Sequence, residues 1–291
     1  MKKLNVLFLF IIILVFFIST FYFSCYQKKI ELSGAKKFHS KYLKSDILYF
    51  PQTVFTPIEA EHCVLPFMYD HKALFRGKTV LDIGTGSGII GLYAAKLGAK
   101  KVIATDIDQN AVNCARLNSE RFGFSSIFEV RLVPANDISA YSVINSDETF
   151  DIIISNPPYS IDLDSPHNTP FTDKGDLGMS IIKGLKIHLK PNGSAVLLYN
   201  SYFYHQVMVK FAQYVGYDVT HYNPEFLTPW EADVIFNYYL KRLLEYNNIP
   251  SNALHFDWKK DRGGIVLFPM TRARVGLSKI YRGLIIISKK T

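Results

Sequence analysis

One stretch constrains the fold more than any other. Val80-Leu81-Asp82-Ile83-Gly84-Thr85-Gly86-Ser87-Gly88 is a short apolar run ending in alternate glycines, and the helical pattern IIGLYAAKLG follows it. A strand that turns sharply into a helix needs residues without a Cβ, both to take up unusual backbone angles and to let a ligand approach the main chain. From Lys78 onward the same alternation of short apolar runs and helix-length stretches repeats, which is the pattern of βαβ units on a parallel sheet. The pattern predicts strands at Thr79–Ile83, Lys101–Thr105, Ile127–Leu132, Phe150–Ser155 and Ser194–Tyr199. It predicts helices at Gly88–Leu97, Gln109–Arg121, Leu177–Leu189 and His205–Val215. Beyond Gly216, GYDVTHY reads as a sixth strand and Pro229–Tyr246 as an aromatic-rich helix. GLIIISKK reads as a final strand, and residues 223–280 as an insertion before it.

A glycine-rich turn alone serves several nucleotide-binding folds, so its details matter. The nicotinamide fingerprint wants a glycine where Ile89 stands, and a phosphate-cradling loop wants Gly-Lys-Ser/Thr, which is absent. A second motif, Val102-Ile103-Ala104-Thr105-Asp106-Ile107-Asp108, puts Asp106 at the carboxyl end of a strand, 24 positions after Asp82. In doubly wound folds such a carboxylate accepts the ribose hydroxyls of a nucleoside. Asp108 reads as the cap of the next helix, with Ala111 and Val112 turned to the core.

The fourth strand runs directly into Asn156-Pro157-Pro158-Tyr159. An amide or aromatic amine nitrogen is a poor nucleophile because its lone pair is delocalised. Two acceptors that hold its hydrogens can aim that lone pair at an electrophilic carbon. The Asn156 side-chain oxygen and the Pro157 carbonyl suit this task, since prolines keep the backbone out of helix and its carbonyls unpaired. Tyr159 can pack on the flat group being modified. Rate would then come from positioning, without a nucleophile or a metal.

Taken together, residues 78–200 resemble the class I, Rossmann-like S-adenosylmethionine-dependent methyltransferases. Within them they resemble the small-domain group that includes the HemK-like glutamine methyltransferases and the N6-adenine and N2-guanine base methyltransferases. The resemblance implies a doubly wound, mostly parallel, seven-stranded α/β sheet. It also implies that the loop with Asp82, Gly84, Gly86 and Gly88 wraps the amino-acid end of S-adenosylmethionine, and that Asp106 takes the ribose. Asp137, in Val133-Pro134-Ala135-Asn136-Asp137, takes the place of the carboxylate near the adenine amino group, and Asn156 borders both cofactor and acceptor. Val54-Phe55-Thr56-Pro57 resembles the Val-Phe-x-Pro lead-in of the glutamine methyltransferases. That group continues with Arg-Pro-Glu-Thr-Glu, whereas Ile58-Glu59-Ala60-Glu61 stands here. The implied acceptor is a planar nitrogen on a protein or a nucleic acid. A small-molecule acceptor, or a silent cofactor-binding interaction module, are the rival readings.

The chain has 291 residues, 48% of them apolar, and a formal charge of +8, which suits an RNA, an acidic protein or an anionic surface. Its three cysteines, Cys25, Cys63 and Cys114, lie far apart and read as free thiols. From Leu4 to Gln27 no charged residue occurs, and residues 4–24 are long enough to cross ~30 Å of hydrocarbon as a helix. Residues 1–27 are therefore expected as an uncleaved membrane anchor, 28–50 as a basic linker and 51–291 as the methyltransferase domain. Lys28, Lys29, Lys36, Lys37, Lys41 and Lys44 outnumber Lys2 and Lys3, so the domain is expected on the cytoplasmic side.

Overall fold

A computed structural model describes residues 34–51, 53–135, 137, 139–158, 160–161, 172–173, 176–199, 202–225, 244, 248–250 and 282–289. Met1–Lys36 and Lys37–Thr291 are two separate compact units. The expected anchor, the aromatic helix except Leu244, and most of the expected insertion lie outside the described residues. Among the described residues no helix is long and apolar enough to cross a membrane.

The chain runs through a small two-stranded sheet, β1 (Lys36–Ser40) and β2 (Ser45–Tyr49), then a π-helical turn leading into α1 (Leu65–Asp70). The doubly wound part follows with β3 (Thr79–Ile83), α2 (Ile89–Lys96), β4 (Lys101–Asp106), α3 (Gln109–Arg121), β5 (Phe128–Leu132) and β6 (Phe150–Ser155). A two-residue pair, β7 (Ser160–Ile161) with β8 (Thr172–Asp173), precedes α4 (Asp176–His188). The remaining elements are β9 (Leu189–Tyr199), α5 (Tyr202–Tyr214), β10 (Tyr217–Glu225) and β11 (Arg282–Lys289). The central sheet has seven strands in the order β10-β11-β9-β6-β3-β4-β5. The five from β9 to β5 are parallel, and β11 lies antiparallel between β9 and β10. The mostly parallel seven-stranded sheet is the one the resemblance implies, and its final strand lies near the C-terminus as expected.

The core follows from the period of two in a strand. Leu81, Ile83, Ile103 and Ile153 point to one face of the sheet and pack against α4 and α5 through Ile181, Ile182, Leu185, Met208 and Phe211. Val80, Val102, Ala104, Ile152 and Ile154 point to the other face, toward Leu92, Val112, Ala115 and α1. Both faces are covered, so these strands are apolar throughout rather than alternating.

Two departures from expectation have simple causes. The segment 28–50, expected as a basic linker, is folded from Lys36 on: Leu43, Ile47 and Leu48 are buried while the lysines stay at the surface. A lysine-rich surface face hides a short hairpin whose inward side is apolar. The fifth predicted strand begins earlier than Ser194, at Leu189. Leu189 pairs with Phe150, the Lys190–Gly193 stretch breaks the register, and regular pairing resumes at Ser194 opposite Ile152. Lys-Pro-Asn-Gly is turn chemistry, and here it serves as the irregularity inside a strand.

One ion pair holds the long connection from β5 to β6. Arg131 donates from Nη1 and Nη2 to the Glu148 carboxylate at 2.6 and 2.8 Å, and from Nη1 to the Val143 carbonyl at 2.8 Å. This hydrogen-bonded guanidinium holds the Glu148 carboxyl down at about 2. Arg131→Ala is expected to lower stability by about 1–2 kcal/mol at neutral pH, the range for a charge-assisted, part-buried pair. Because the Glu148 value is depressed, the contribution is fully present above the ordinary glutamate range and fades as pH falls toward 2. Denaturant midpoints of wild type and variant should therefore differ at pH 7 and converge under acid; a gap that widens under acid contradicts this.

Candidate active site

The sheet order reverses between β3 and β6, since the chain winds from β3 through β4 to β5 in one direction and from β6 to β9 in the other. Such a switch point opens a crevice at the carboxyl ends of the strands, where doubly wound folds take their ligands. The glycine-rich loop leaves β3 on one side of it and Asn156-Pro157-Pro158 leaves β6 on the other. The Ser155 hydroxyl ties the two ends together by donating to the Ile83 carbonyl at 2.8 Å.

The loop is anchored from below. Asp82 is completely buried, and its Oδ2 accepts from the Thr85 hydroxyl at 2.7 Å and from the Gly91 N–H at 3.0 Å. Burial pushes its carboxyl up to about 6 against the pull of those two donors. The Thr105 carbonyl at the end of β4 accepts from both Gly84 N–H and Thr85 N–H, at 2.8 and 3.0 Å. Gly84, Gly86 and Gly88 all lie in the left-handed region, with φ of 69°, 55° and 84°. A side chain is strained there whatever space surrounds it. A Cβ on Gly88 would also stand 3.2 Å from the Ala115 backbone, while one on Gly84 would meet nothing within 4 Å. The loop is thus closed toward α3 and open over Gly84.

Asp106 ends β4 beside this opening. Its Oδ2 accepts from Gly86 N–H and its Oδ1 from Asp108 N–H, both at 2.9 Å, so the carboxylate is aimed by backbone donors. Burial pushes it, too, up to about 6. Asp108 caps α3, accepting from Asn110 N–H at 2.7 Å, and Ala111 and Val112 are buried as expected. Asp137 lies in the turn after β5, where its N–H donates to Pro134 and its Oδ1 accepts from Ser139 N–H at 2.9 Å. Asn156 sits at the end of β6 with its Oδ1 buried and, among the described residues, without a hydrogen-bond partner. Pro157 is buried beside it, and Tyr159 lies outside the described residues.

The structure therefore brings Gly84, Gly86, Gly88, Asp106 and Asn156 to the carboxyl edge and sets Asp82 beneath them as the support of the loop. Several contributors escape sequence reading. Thr85 and Gly91 both serve Asp82; the signal for Gly91 is a glycine inside an apolar helix, where close packing requires it. A Cβ there would lie 2.8 Å from the Phe128 ring and 3.0 Å from Asp82 Oδ2. Ile107 and Leu132 are large apolar side chains left exposed after Asp106 and at the end of β5. Their exposure at a ligand-binding edge suits a flat, apolar ring.

These residues fit S-adenosylmethionine: an open left-handed glycine loop, an aimed carboxylate at the second strand and an acceptor left without a partner at the fourth. When bound, that cofactor supplies an activated sulfonium methyl group. A family model for ribosomal protein L11 methyltransferase (PrmA) matches residues 67–157. A tRNA1(Val) (adenine(37)-N6)-methyltransferase of Bacteroides fragilis is 36% identical over 119 residues, covering 40% of this chain and 49% of that protein. A release factor glutamine methyltransferase of Koribacter versatilis is 33% identical over 171 residues, covering 53% and 58%. The chain thus spans about half the length of these curated relatives. A methyltransferase of Pyrococcus furiosus of known structure is similar over 84% of this chain and 89% of its own, with 21% identity and a TM-score of 0.49. From the glycine loop to the strand-end motif, the chain is thus similar to S-adenosylmethionine-dependent methyltransferases.

Were Asp106 to accept the ribose hydroxyls, it would do so as an ionised carboxylate, so its raised value would give binding a pH dependence. With half-ionisation near 6, S-adenosylhomocysteine affinity should fall roughly tenfold from pH 7 to pH 5. Asp106→Asn should weaken binding and flatten that dependence. Calorimetric titration of the full chain at several pH values measures both; affinity independent of pH in the wild type would contradict the assignment.

Proposed function

We propose that this protein transfers a methyl group from S-adenosylmethionine to a planar nitrogen, either a nucleobase amine or a protein side-chain amide. The observation that carries the reading is the buried Asn156 Oδ1 at the switch point, which has no hydrogen-bond partner among the described residues. A buried acceptor without a donor costs free energy comparable to a lost hydrogen bond, so its retention needs a reason. An acceptor N–H supplies the missing donor. With Asn156 Oδ1 holding one hydrogen and the Pro157 carbonyl the other, the nitrogen lone pair faces the cofactor loop, which Ser155 keeps in register through Ile83. Tyr159, outside the described residues, is the ring that the sequence offers for the plane of the acceptor. Ile107 seats the adenine edge of the cofactor, with Asp137 toward its amino group. With the cofactor bound, the nitrogen–methyl bond would form as the methyl–sulfur bond broke, leaving S-adenosylhomocysteine, and the nitrogen's proton would pass to water.

The names of the relatives support both kinds of acceptor: one acts on tRNA adenine and one on release factor glutamine. The charge of +8 agrees with an RNA substrate. Labelled-methyl transfer into cell lysate, fractionated into RNA, DNA, protein and small molecules, tests the reading. Label is expected in RNA or protein, on nitrogen, and Asn156→Ala should reduce it by at least 100-fold, in line with loss of a positioning group. Label confined to small molecules, or transfer unchanged in Asn156→Ala, would sink the proposal.

We further infer that residues 4–24 anchor the protein in a membrane with the domain on the cytoplasmic side. The uncharged run and the lysine excess after it support this reading. Around the hairpin turn, Lys41 lies 5.2 Å from the Tyr42 ring and Lys72 lies 6.0 Å from the Tyr69 ring, and the two rings are 6.0 Å apart. Such a basic and aromatic surface suits anionic headgroups. The full chain should sediment with membranes and resist alkaline carbonate, while a chain lacking residues 1–27 should be released. A full chain recovered in the supernatant would contradict the anchor.

A further inference from the structure

Asn118 stands on α3, and both ends of its amide are hydrogen-bonded. It is completely buried. Its Nδ2 donates to the Leu48 carbonyl at 2.8 Å and to the Ser87 carbonyl at 2.9 Å. Its Oδ1 accepts from the Leu48 N–H at 3.0 Å and from Arg121 Nη1 at 3.2 Å. The two facing carbonyls fix which end of the amide is the donor. One side chain therefore meets both backbone groups of a residue in the N-terminal hairpin and, at the same time, a carbonyl of the Gly84–Gly88 loop. The Cys114 thiol adds a bond to the same Leu48 carbonyl at 3.0 Å.

The chain leaving Leu48 then folds over that loop. The Phe50 carbonyl accepts from Thr53 N–H and Val54 N–H at 3.2 and 2.7 Å, which closes a tight turn. Val54 is buried, and its Cγ1 lies 3.5 Å from where a Cβ on Gly86 would be. Gly86 is the residue whose N–H aims Asp106. The hairpin segment is thus held at Leu48 by Asn118 and rests, at Val54, on the loop residue that positions the ribose-side carboxylate. Asn118 reaches that same loop from behind through Ser87.

We propose that Asn118 is a positioning residue that couples docking of the segment Leu48–Val54 to the cofactor-holding shape of the Gly84–Gly88 loop, a role that rests on reading this loop as the S-adenosylmethionine site. The hairpin is then a working part of the cofactor site, and its release loosens the loop. A coupling between two sites is reciprocal in binding free energy. Hairpin docking that favours the cofactor must itself be favoured by the cofactor, to the same degree.

Hydrogen exchange of the full wild-type chain, with and without saturating S-adenosylhomocysteine, reads the coupling without any substitution. Amides of residues 45–54 are expected to exchange at least five-fold more slowly with the ligand, the lower end of usual couplings. In Asn118→Ala, calorimetry should show affinity for S-adenosylhomocysteine weakened about tenfold or more, and the ligand should no longer slow exchange in the hairpin. A purely structural Asn118 would lower the melting temperature alone. Affinity of the folded variant within twofold of wild type, or hairpin exchange in wild type indifferent to a ligand that binds, would overturn the coupling while leaving the site reading intact. A wild-type chain that binds no S-adenosylhomocysteine would overturn both. Should Asn118→Ala not fold, the wild-type exchange measurement alone decides.

Discussion

A carboxylate with no access to water lies under the whole arrangement. Asp82 ends the central strand, and burying an ionisable group costs several kcal/mol unless hydrogen bonds offset it. Two donors do so, Thr85 from the loop and Gly91 from the first turns of α2. Both bond to Oδ2, and because both come from the stretch that must turn back over the sheet, pairing that oxygen and shaping the loop are one act. The tightness of the packing shows in Gly91, where even a methyl group would collide with Phe128 and with Asp82 itself. The loop in turn fixes Asp106 through Gly86, and Thr105 holds the loop through its carbonyl. Strand ends, loop and the Asp106 carboxylate therefore form one hydrogen-bonded unit.

The fourth strand joins that unit across the switch point. Residues some seventy positions apart in the chain meet because β3 and β6 are parallel neighbours, with Ile83 in register with Ser155. Asn156 and Pro157, which follow directly, are placed relative to the loop by that pairing and by the serine hydroxyl. On the far side, the N-terminal hairpin reaches the same loop from α3. Cofactor-side geometry is thus supported from below by Asp82, from the sheet by Thr105 and Ser155, and from behind by Asn118.

Much of this is legible in the residues alone, and the reason is local physics. β3 and β6 are buried on both faces and bounded by glycine or proline, so their limits are read directly as Thr79–Ile83 and Phe150–Ser155. Asp106, Asp108 and the three glycines stand at positions where a turn or a cap demands their type. What is not legible depends on tertiary contact. In QNAVNCARLNSER, Asn118 looks like one more polar residue on a solvated face, and only the docking of Leu48 makes it a buried bridge. The hairpin hides for the same reason, its lysines outward and its apolar side satisfied by distant parts of the chain. Asp82 looks like a ligand group by position, whereas its depth makes it the support of the loop. The unpaired Asn156 oxygen, in contrast, is foreseen as a type of acceptor but is recognised as unsatisfied only in three dimensions.

The central claim is that the carboxyl ends of β3, β4 and β6 hold S-adenosylmethionine and present its methyl group to Asn156. A crystal structure of the protein with S-adenosylhomocysteine tests it most directly. The account predicts ribose hydroxyls on Asp106, the amino-acid end over Gly84 to Gly88, and the sulfur facing Asn156. Ligand bound elsewhere, or bound with Asp106 left untouched and Asn156 turned away, would contradict it.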